Sequence, residues 1–156
     1  PEGGVPRLKS FHYMNNILAK RELTAAGAGP GIEGLFLDGS GRVCEGIVSN
    51  VFWLSAGVLY TPSAACGPLP GITRGYVMEM AASLGVPVRQ GGFGFEDVAS
   101  ADEVFLTNSV QEIVPVVALE DKTEKVVSRY RSGTAGTTTY EWMRLYRKRA
   151  EGREEE

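Results

Sequence analysis

The sequence predicts a single α+β domain in which many short strands alternate with about four helices. Its 156 residues fall within the usual size range of one domain. Short β-branched and aromatic runs are separated by turn residues, and segments of helical periodicity lie between them. Glycine occurs 20 times, at about twice its usual share of about 7%. This excess favours tight turns and close approaches of the backbone.

The N-terminal half is predicted to form one helix followed by two hairpins. Residues 10–26 carry apolar side chains at helical spacing, and Gly27 follows as a stop signal. The turn sequences Gly-Ser-Gly and Ser-Ala-Gly each separate two apolar runs, which is typical of hairpins. Pro62 ends the second hairpin because proline cannot donate a ladder hydrogen bond. The four strands are predicted at 35–38, 42–45, 50–54 and 58–61.

The C-terminal half is predicted to alternate helices with single strands. The helix over 73–84 has one apolar face and is followed by Gly85, a natural residue for a helix end. The run 113–119 is strongly β-branched and predicts a strand. The other predicted helices are 95–101 and 140–149, and the other strands are 86–89 and 103–106. The charged segment 151–156 is predicted to fray.

Charge and composition exclude several classes of function. A net charge of −3 and a pI near 5.3 argue against a nucleic-acid-binding protein. No apolar run approaches the length of about 18–20 residues that crosses a bilayer. Two cysteines, Cys44 and Cys66, and the single His12 cannot supply a zinc site at any usual spacing. We expect a cytoplasmic protein with reduced thiols, because the N-terminus has no apolar signal core.

The segment before the second predicted helix has a local chemistry of its own. Pro70 and Gly71 form a tight turn, and a helix begins directly behind them with Thr73 near its start. Free backbone N–H groups and the helix dipole make such a place suitable for phosphate. The more ordinary alternative is a simple N-cap in which Thr73 caps Tyr76.

Several further polar residues could belong to a functional site, but each also has an ordinary structural explanation. Glu45 lies in a largely apolar run and needs a partner, either the protonated ring nitrogen of a ligand or a structural ion pair. The sequence alone favours the ion pair. Polar clusters at 49–50 and 107–109 stand at strand ends, where sites and plain turns both occur. Lys9, taken alone, is an exposed lysine.

Together these segments resemble, in sequence order, the class IV (fold-type IV) pyridoxal-phosphate enzymes. That family includes branched-chain aminotransferases, D-amino-acid aminotransferases and 4-amino-4-deoxychorismate lyases. The resemblance covers about residues 9–119 and implies a mixed β pseudo-barrel with surrounding helices, like the family's C-terminal domain. The matching segments are Lys9-Ser10, 13–22, Leu37-Asp38, Glu45-Gly46, 49–52, 60–62, 69–74, 101–105 and Pro115-Val116.

The resemblance also implies the domain limits and the assembly of the protein. Residues 1–8 correspond to a remnant of the linker between domains, 9–150 to the large cofactor-binding domain, and 151–156 to a charged tail. The family's smaller N-terminal domain is absent from this sequence. Because family members complete each active site with a neighbouring subunit, we expect a homodimer. The helix face around Ile17 and aromatic residues such as Trp53 or Trp142 are candidates for its interface. The alternative is that all of them belong to the ordinary core.

Site roles follow from the resemblance position by position. Lys9 resembles the catalytic lysine that forms a Schiff base with pyridoxal 5′-phosphate. Tyr13 matches the tyrosine at the ring oxygen, and Glu45 the glutamate that keeps the pyridine nitrogen protonated. A protonated ring is an effective electron sink, and an adjacent carboxylate favours that protonation. The remaining cofactor-binding positions are Ser49 and Asn50 near the cofactor, and Gly71, Ile72, Thr73 and Ser109 around its phosphate.

The run 107–113 is similar to the lyase pattern, whereas aminotransferases more often carry a Gly-Thr or Ser-Thr pair there. The resemblance therefore implies the elimination of pyruvate from 4-amino-4-deoxychorismate, giving 4-aminobenzoate for folate synthesis. The alternative is a branched-chain or D-amino-acid aminotransferase. A second alternative is a non-catalytic cofactor-binding fragment that lacks the N-terminal domain.

Overall fold

The structure, a computed structural model, describes residues 14–120 and 125–152. The expected linker at 1–8 and the end of the charged tail lie outside the described residues. Lys9, His12 and Tyr13 lie outside them as well. The domain limits that the sequence predicts therefore remain predictions.

The described chain alternates strands and helices along its whole length. The helices are α1 Met14–Ala25, α2 Ile72–Ser83, α3 Phe95–Ala99 and α4 Thr137–Ala150. The strands are β1 Leu35–Leu37, β2 Val43–Gly46, β3 Asn50–Ser55, β4 Val58–Pro62, β5 Val88–Gly91, β6 Glu103–Asn108, β7 Glu112–Val116, β8 Ala118–Glu120 and β9 Val126–Arg129. Short 3-10 helices span Ala64–Cys66 and Tyr130–Gly133.

A five-stranded sheet in the order β5-β4-β3-β6-β7 forms the centre of the fold. Its neighbours are antiparallel except for β4 and β5, which run parallel because α2 crosses over between them. The β3–β4 turn uses Ala56 and Gly57, both at positive φ, as a two-residue hairpin turn requires. The pairs β1–β2 and β8–β9 form separate two-stranded sheets.

The strict alternation of side chains along the central strands builds two cores. Phe52 and Phe105 stack on the face covered by α2 and α4, with ring centroids 5.3 Å apart. Val51 and Trp53 point to the opposite face, which is covered by the β1–β2 hairpin and α3. Both faces of the sheet are thus buried, so β3 reads as a continuous apolar run with no polar alternation.

The predicted α+β class is confirmed, and the four predicted helices are all present among the described residues. For two aromatic residues the ordinary-core alternative is the correct one. Trp53 and Trp142 are both buried, because each packs into one of the two cores, and neither offers a surface for a partner.

The C-terminal strands differ most from the prediction. The predicted strand 113–119 divides at Val117, where the chain leaves β6 and begins to pair with β9 instead. Tyr130 marks this change of partner by donating its N–H to the carbonyl of Val117 at 3.0 Å. The strand β9 is not predicted by the sequence, since its four residues include only two apolar ones.

Candidate active site

The carboxylate of Glu45 stands at the end of β2, beside the loop that leads into α2. Its Oε2 accepts the N–H of Leu69 at 2.8 Å and lies 3.5 Å from Nδ2 of Asn50. The structural ion pair that the sequence favoured is not formed within the described residues. Burial raises the pKa of the Glu45 carboxyl, and the hydrogen bond from Leu69 opposes that rise. A cation placed against this carboxylate would restore the ionised form.

Ser49 and Asn50, at the start of β3, are buried and hydrogen-bonded to neighbouring segments. Ser49 donates its hydroxyl to Oε1 of Glu33 at 2.7 Å, and the same oxygen accepts the N–H of Val48. Asn50 donates from Nδ2 to the carbonyl of Leu69 at 2.8 Å. Asn50 therefore fixes the start of β3 to the loop before α2, and Ser49 fixes it to the segment before β1. Glu33 was not found from the sequence, because its partner lies 16 residues away.

The start of α2 lies directly against Asn50. A Cβ on Gly71 would approach Oδ1 of Asn50 to 2.3 Å, so only glycine fits this position without a shift. Gly71 is also the N-cap residue and provides no side-chain cap. The alternative that Thr73 is an ordinary N-cap is therefore wrong, because Thr73 already lies inside the helix. The first N–H groups of α2 have no intrahelical acceptor and suit an anion.

Ser109 lies in the turn between β6 and β7, at the same end of the sheet. The register pairs Asn50 of β3 with Thr107 of β6, two residues before Ser109. Asn108 shapes the turn, since its Oδ1 accepts the N–H groups of Val110 and Gln111 at 2.9 and 2.7 Å. Ser109 is left exposed at the tip, where its hydroxyl is open to a ligand.

Two buried polar groups next to this cluster were given no role by the sequence. Thr107 is only 1% exposed, and its Oγ1 has no hydrogen-bond partner within the described residues. Arg74, in the first turn of α2, is 8% exposed and has an Nε without a partner. Both lie in segments that the sequence singles out: Thr107 at a strand end, and Arg74 in the segment suited to binding phosphate. Their burial is the signal that only the structure supplies.

The structure describes seven of the nine predicted site residues and leaves two outside the described chain, namely Lys9 and Tyr13. Glu45, Asn50 and the segment 69–71 are in direct contact, whereas Ser109 is related to them through the pairing of β3 with β6. The arrangement fits a ligand with a protonated ring nitrogen at one end and a phosphate at the other. A half-buried carboxylate faces the first, and an uncapped helix start faces the second. The seven residues are Glu45, Ser49, Asn50, Gly71, Ile72, Thr73 and Ser109.

The described residues contain no helix long and apolar enough to cross a membrane. Within the same ranges, no group of three or more His, Cys, Asp or Glu side chains is placed to hold a metal ion. Cys44 and Cys66 are both buried free thiols.

Comparison with known proteins finds one family. The family model described as Amino-transferase class IV matches residues 1–119. The chain is 46% identical over 121 residues to an aminodeoxychorismate lyase of Bacillus subtilis (strain 168), which covers 78% of this chain and 40% of that protein. It is 36% identical over 109 residues to a branched-chain-amino-acid aminotransferase of Escherichia coli (strain K12), covering 70% of this chain and 34% of that one.

The fold of this chain is similar to that of a solved structure. The branched-chain amino acid aminotransferase from Thermobaculum terrenum, in its PLP form, superposes with a TM-score of 0.83 at 32% identity. The match covers 96% of this chain and 46% of that one. The chain therefore spans less than half the length of each of these three proteins.

Proposed function

Since the chain belongs to the class IV aminotransferase family, we propose that it binds pyridoxal 5′-phosphate as the large domain of a lyase. In the whole protein, that lyase would release pyruvate from 4-amino-4-deoxychorismate and leave 4-aminobenzoate. The observation that carries the proposal is the half-buried carboxylate of Glu45 beside the uncapped start of α2. The 46% identity to an aminodeoxychorismate lyase supports the choice of reaction.

The described residues divide the binding of the cofactor between its two ends. The carboxylate of Glu45 would accept a hydrogen bond from the protonated ring nitrogen. The bound cofactor would therefore favour the ionised form of Glu45. The N–H groups of Ile72 and Thr73, with the hydroxyl of Ser109 opposite, would hold the phosphate. When bound, the cofactor supplies an electron sink for the bond that breaks next to the substrate nitrogen.

Proton transfer is proposed for Lys9, with Tyr13 beside it. Nζ of Lys9 would take the proton from the substrate carbon that bears the amine and return a proton to the departing pyruvate unit. A desolvated site near cationic groups keeps such a lysine neutral and therefore able to act as a base. The role of Asn50 is positional, since it holds the loop that carries both Glu45's hydrogen-bond donor and the start of α2.

The oligomeric state, the location and the domain limits are proposed from the family. We propose a homodimer in the cytoplasm, contributing 4-aminobenzoate to folate synthesis. The large domain would extend over 9–150, preceded by a linker at 1–8 and followed by the charged tail.

Two assays on the whole protein test the reaction. Incubation with 4-amino-4-deoxychorismate should release pyruvate and 4-aminobenzoate in equal amounts. Transamination of 2-oxoglutarate by branched-chain or D-amino acids, without release of 4-aminobenzoate, would overturn the lyase proposal.

The second candidate is a branched-chain or D-amino-acid aminotransferase. It is supported by the 36% identity to the Escherichia coli enzyme and by the fold match to the Thermobaculum terrenum enzyme. The two candidates share the cofactor and the removal of a proton from the carbon that bears the amine. The lyase would then release pyruvate from the neighbouring carbon and keep the nitrogen on its product, whereas the aminotransferase would pass the amine to a 2-oxo acid. A chain that binds the cofactor but catalyses neither reaction would instead support the non-catalytic fragment.

A further inference from the structure

Arg74 is a buried cation without a counter-charge in the described part of the chain. Its Nη2 donates to the carbonyl of Pro62 at 3.0 Å and to Oε1 of Gln90 at 2.9 Å, and both acceptors are neutral. Its Nε has no hydrogen-bond partner, and no carboxylate of the described residues forms an ion pair with it. Burial lowers the pKa of the guanidinium, yet arginine remains charged in proteins.

This arrangement is costly unless something supplies the missing negative charge. Removing a guanidinium from water carries a penalty that two hydrogen bonds to neutral oxygens offset only in part. Buried charges in proteins are normally paired with an opposite charge or with a bound ion. The described residues place no such charge on Arg74. An anion bound near the guanidinium would offset part of this penalty through space, without a direct contact.

The position of Arg74 in the fold indicates where that anion would lie. It is the third residue of α2, two residues after Ile72, so its Cα is about 3 Å along the axis from the helix start. Side chains on a helix tilt towards its N-terminus. The guanidinium lies beneath the first turn, between α2 and the ends of the parallel strands β4 and β5.

We propose that Arg74 is a positioning residue whose buried charge, acting through the first turn of α2, strengthens the binding of the cofactor phosphate. The inference rests on the proposed function, because the anion it requires is the phosphate held at Ile72 and Thr73. Arg74 does not contact the phosphate in this scheme. It adds a fixed positive charge behind N–H groups that already point at the anion. It also holds β4 and β5 in register behind that helix start.

The test compares a ligand that has the phosphate with one that lacks it. Equilibrium binding of pyridoxal 5′-phosphate and of pyridoxal is measured by absorbance for the purified protein and its variants. Arg74→Met should weaken binding of the phosphorylated ligand tenfold or more, which is a change of about 1.4 kcal/mol, and should change binding of pyridoxal less than twofold. Arg74→Lys keeps the charge and should retain most of the difference between the two ligands.

A second variant removes the charge without removing the arginine. Gln90→Glu places a carboxylate where an amide oxygen already accepts from Arg74, so it neutralises the guanidinium and keeps the contact. Gln90→Glu should weaken the binding of pyridoxal 5′-phosphate severalfold and leave the binding of pyridoxal unchanged. It should also raise the melting temperature of the apoprotein. The matched control is Arg89→Gln, an exposed neighbour on β5 that makes the same change in net charge. It should alter neither affinity, because the hydrogen bond to Arg74 is made by Gln90 and is untouched by this change.

The outcomes separate the two levels of the proposal. If the unaltered protein binds neither ligand, the proposed function fails. If it binds both, but Gln90→Glu and Arg74→Met change the two affinities equally or not at all, Arg74 is only structural and the inference is overturned. Should Arg74→Met fail to fold, Gln90→Glu alone decides, since it leaves the packing of Arg74 in place.

Discussion

Glu45 and Arg74 lie at the two ends of the segment 69–74, and neither has an ion partner within the described residues. Glu45 accepts a hydrogen bond from the first residue of that segment, and Arg74 is its last residue. A ligand with a cationic ring and an anionic phosphate would complement both charges, Glu45 by contact and Arg74 through space. The short segment 69–74 therefore couples the two charged residues of the described site.

The first residue prediction concerns Glu45→Gln and pH. The carboxyl of Glu45 has a raised pKa in the folded apoprotein, above its ordinary value of 4.5. The folded state therefore binds the proton more tightly than the unfolded chain, and stability falls as pH rises through that range. Glu45→Gln removes this loss of stability, because glutamine does not ionise. At a pH above the ordinary pKa of 4.5 the apoprotein variant should be more stable than the unaltered protein, and below that pH it should show no gain.

Chemical denaturation at a series of pH values measures this difference. The exposed Glu79→Gln on α2 serves as control and should leave the profile unchanged. A Glu45→Gln variant that is less stable at neutral pH would show that the hydrogen bond from Leu69 outweighs the burial of the carboxylate, and would refute the raised pKa.

The second residue prediction concerns Lys9, which lies outside the described residues. Borohydride reduction of the cofactor-loaded protein should attach the cofactor to the peptide that contains Lys9. Lys9→Ala should reduce turnover by several orders of magnitude, about 10⁴-fold or more, because it removes a nucleophile and a general base together. Non-covalent binding should survive in part, since the start of α2 still holds the phosphate.

Peptide mass spectrometry after reduction identifies the lysine. The matched control is Lys20→Ala on the exposed side of α1, which should keep both turnover and the labelled peptide. Label on Lys20 or Lys122 would refute the assignment to Lys9.

At the scale of elements, α4 is joined to the central sheet by a buried carboxylate on β6. Oε2 of Glu103 accepts the N–H and the hydroxyl of Thr139, each at 2.8 Å, and Oε1 accepts the N–H of Thr138 at 3.2 Å. A Cβ on Gly136 would fall 1.9 Å from Cδ of Glu103, so the helix can begin here only with glycine. The negative charge of Glu103 at the start of α4 also interacts favourably with the helix dipole.

The element prediction is that Glu103→Ala destabilises the protein by about 2–3 kcal/mol. The substitution leaves the buried N–H and hydroxyl of Thr139 without their acceptor, and it also removes the acceptor of the half-buried N–H of Thr138. Denaturant unfolding, followed by circular dichroism, gives the change in free energy. Glu141→Ala, on the exposed face of the same helix, should change stability by less than about 0.5 kcal/mol. An equal effect of both substitutions would mean that the Glu103 cap contributes nothing.

At the scale of the whole molecule, α1 stands apart from both cores. None of its residues is buried, and its apolar side chains Met14, Ile17 and Leu18 are exposed, Ile17 by 52%. Its link to the body includes a hydrogen bond from Asn16 to the carbonyl of Ile47, next to the site. An apolar helix face in this state is typical of a surface that another chain or domain covers.

The prediction for the whole molecule is a homodimer in solution. Light scattering at micromolar concentration should give twice the mass of the protomer for the cofactor-loaded protein. Ile17→Asp should shift the equilibrium towards monomer, because it places a charge on the exposed apolar face of α1. Its control, Glu22→Asp on the same helix, should not. A protein that is only monomeric under these conditions would remove the claim.

Local patterns in the sequence determined the class of the fold and most element positions. The residues of the candidate site follow only from the resemblance to a family and stay predictions. Turn chemistry, alternation and helical spacing act over a few residues, and the segment 69–74 carries its glycine, its helix start and its arginine in one run. Even its errors were local ones, such as extending one strand through Val117, where a change of partner leaves no sequence signal.

Only the tertiary structure decided which polar groups are buried and with whom they pair. Arg74 meets Gln90 across 16 residues, and Glu103 meets Thr139 across 36. Burial is a property of the packed chain, so neither the missing counter-charge of Arg74 nor the unpartnered hydroxyl of Thr107 can be read from spacing. The same packing placed Trp53 and Trp142 in the cores, where apolar area is removed from water on both faces of one sheet.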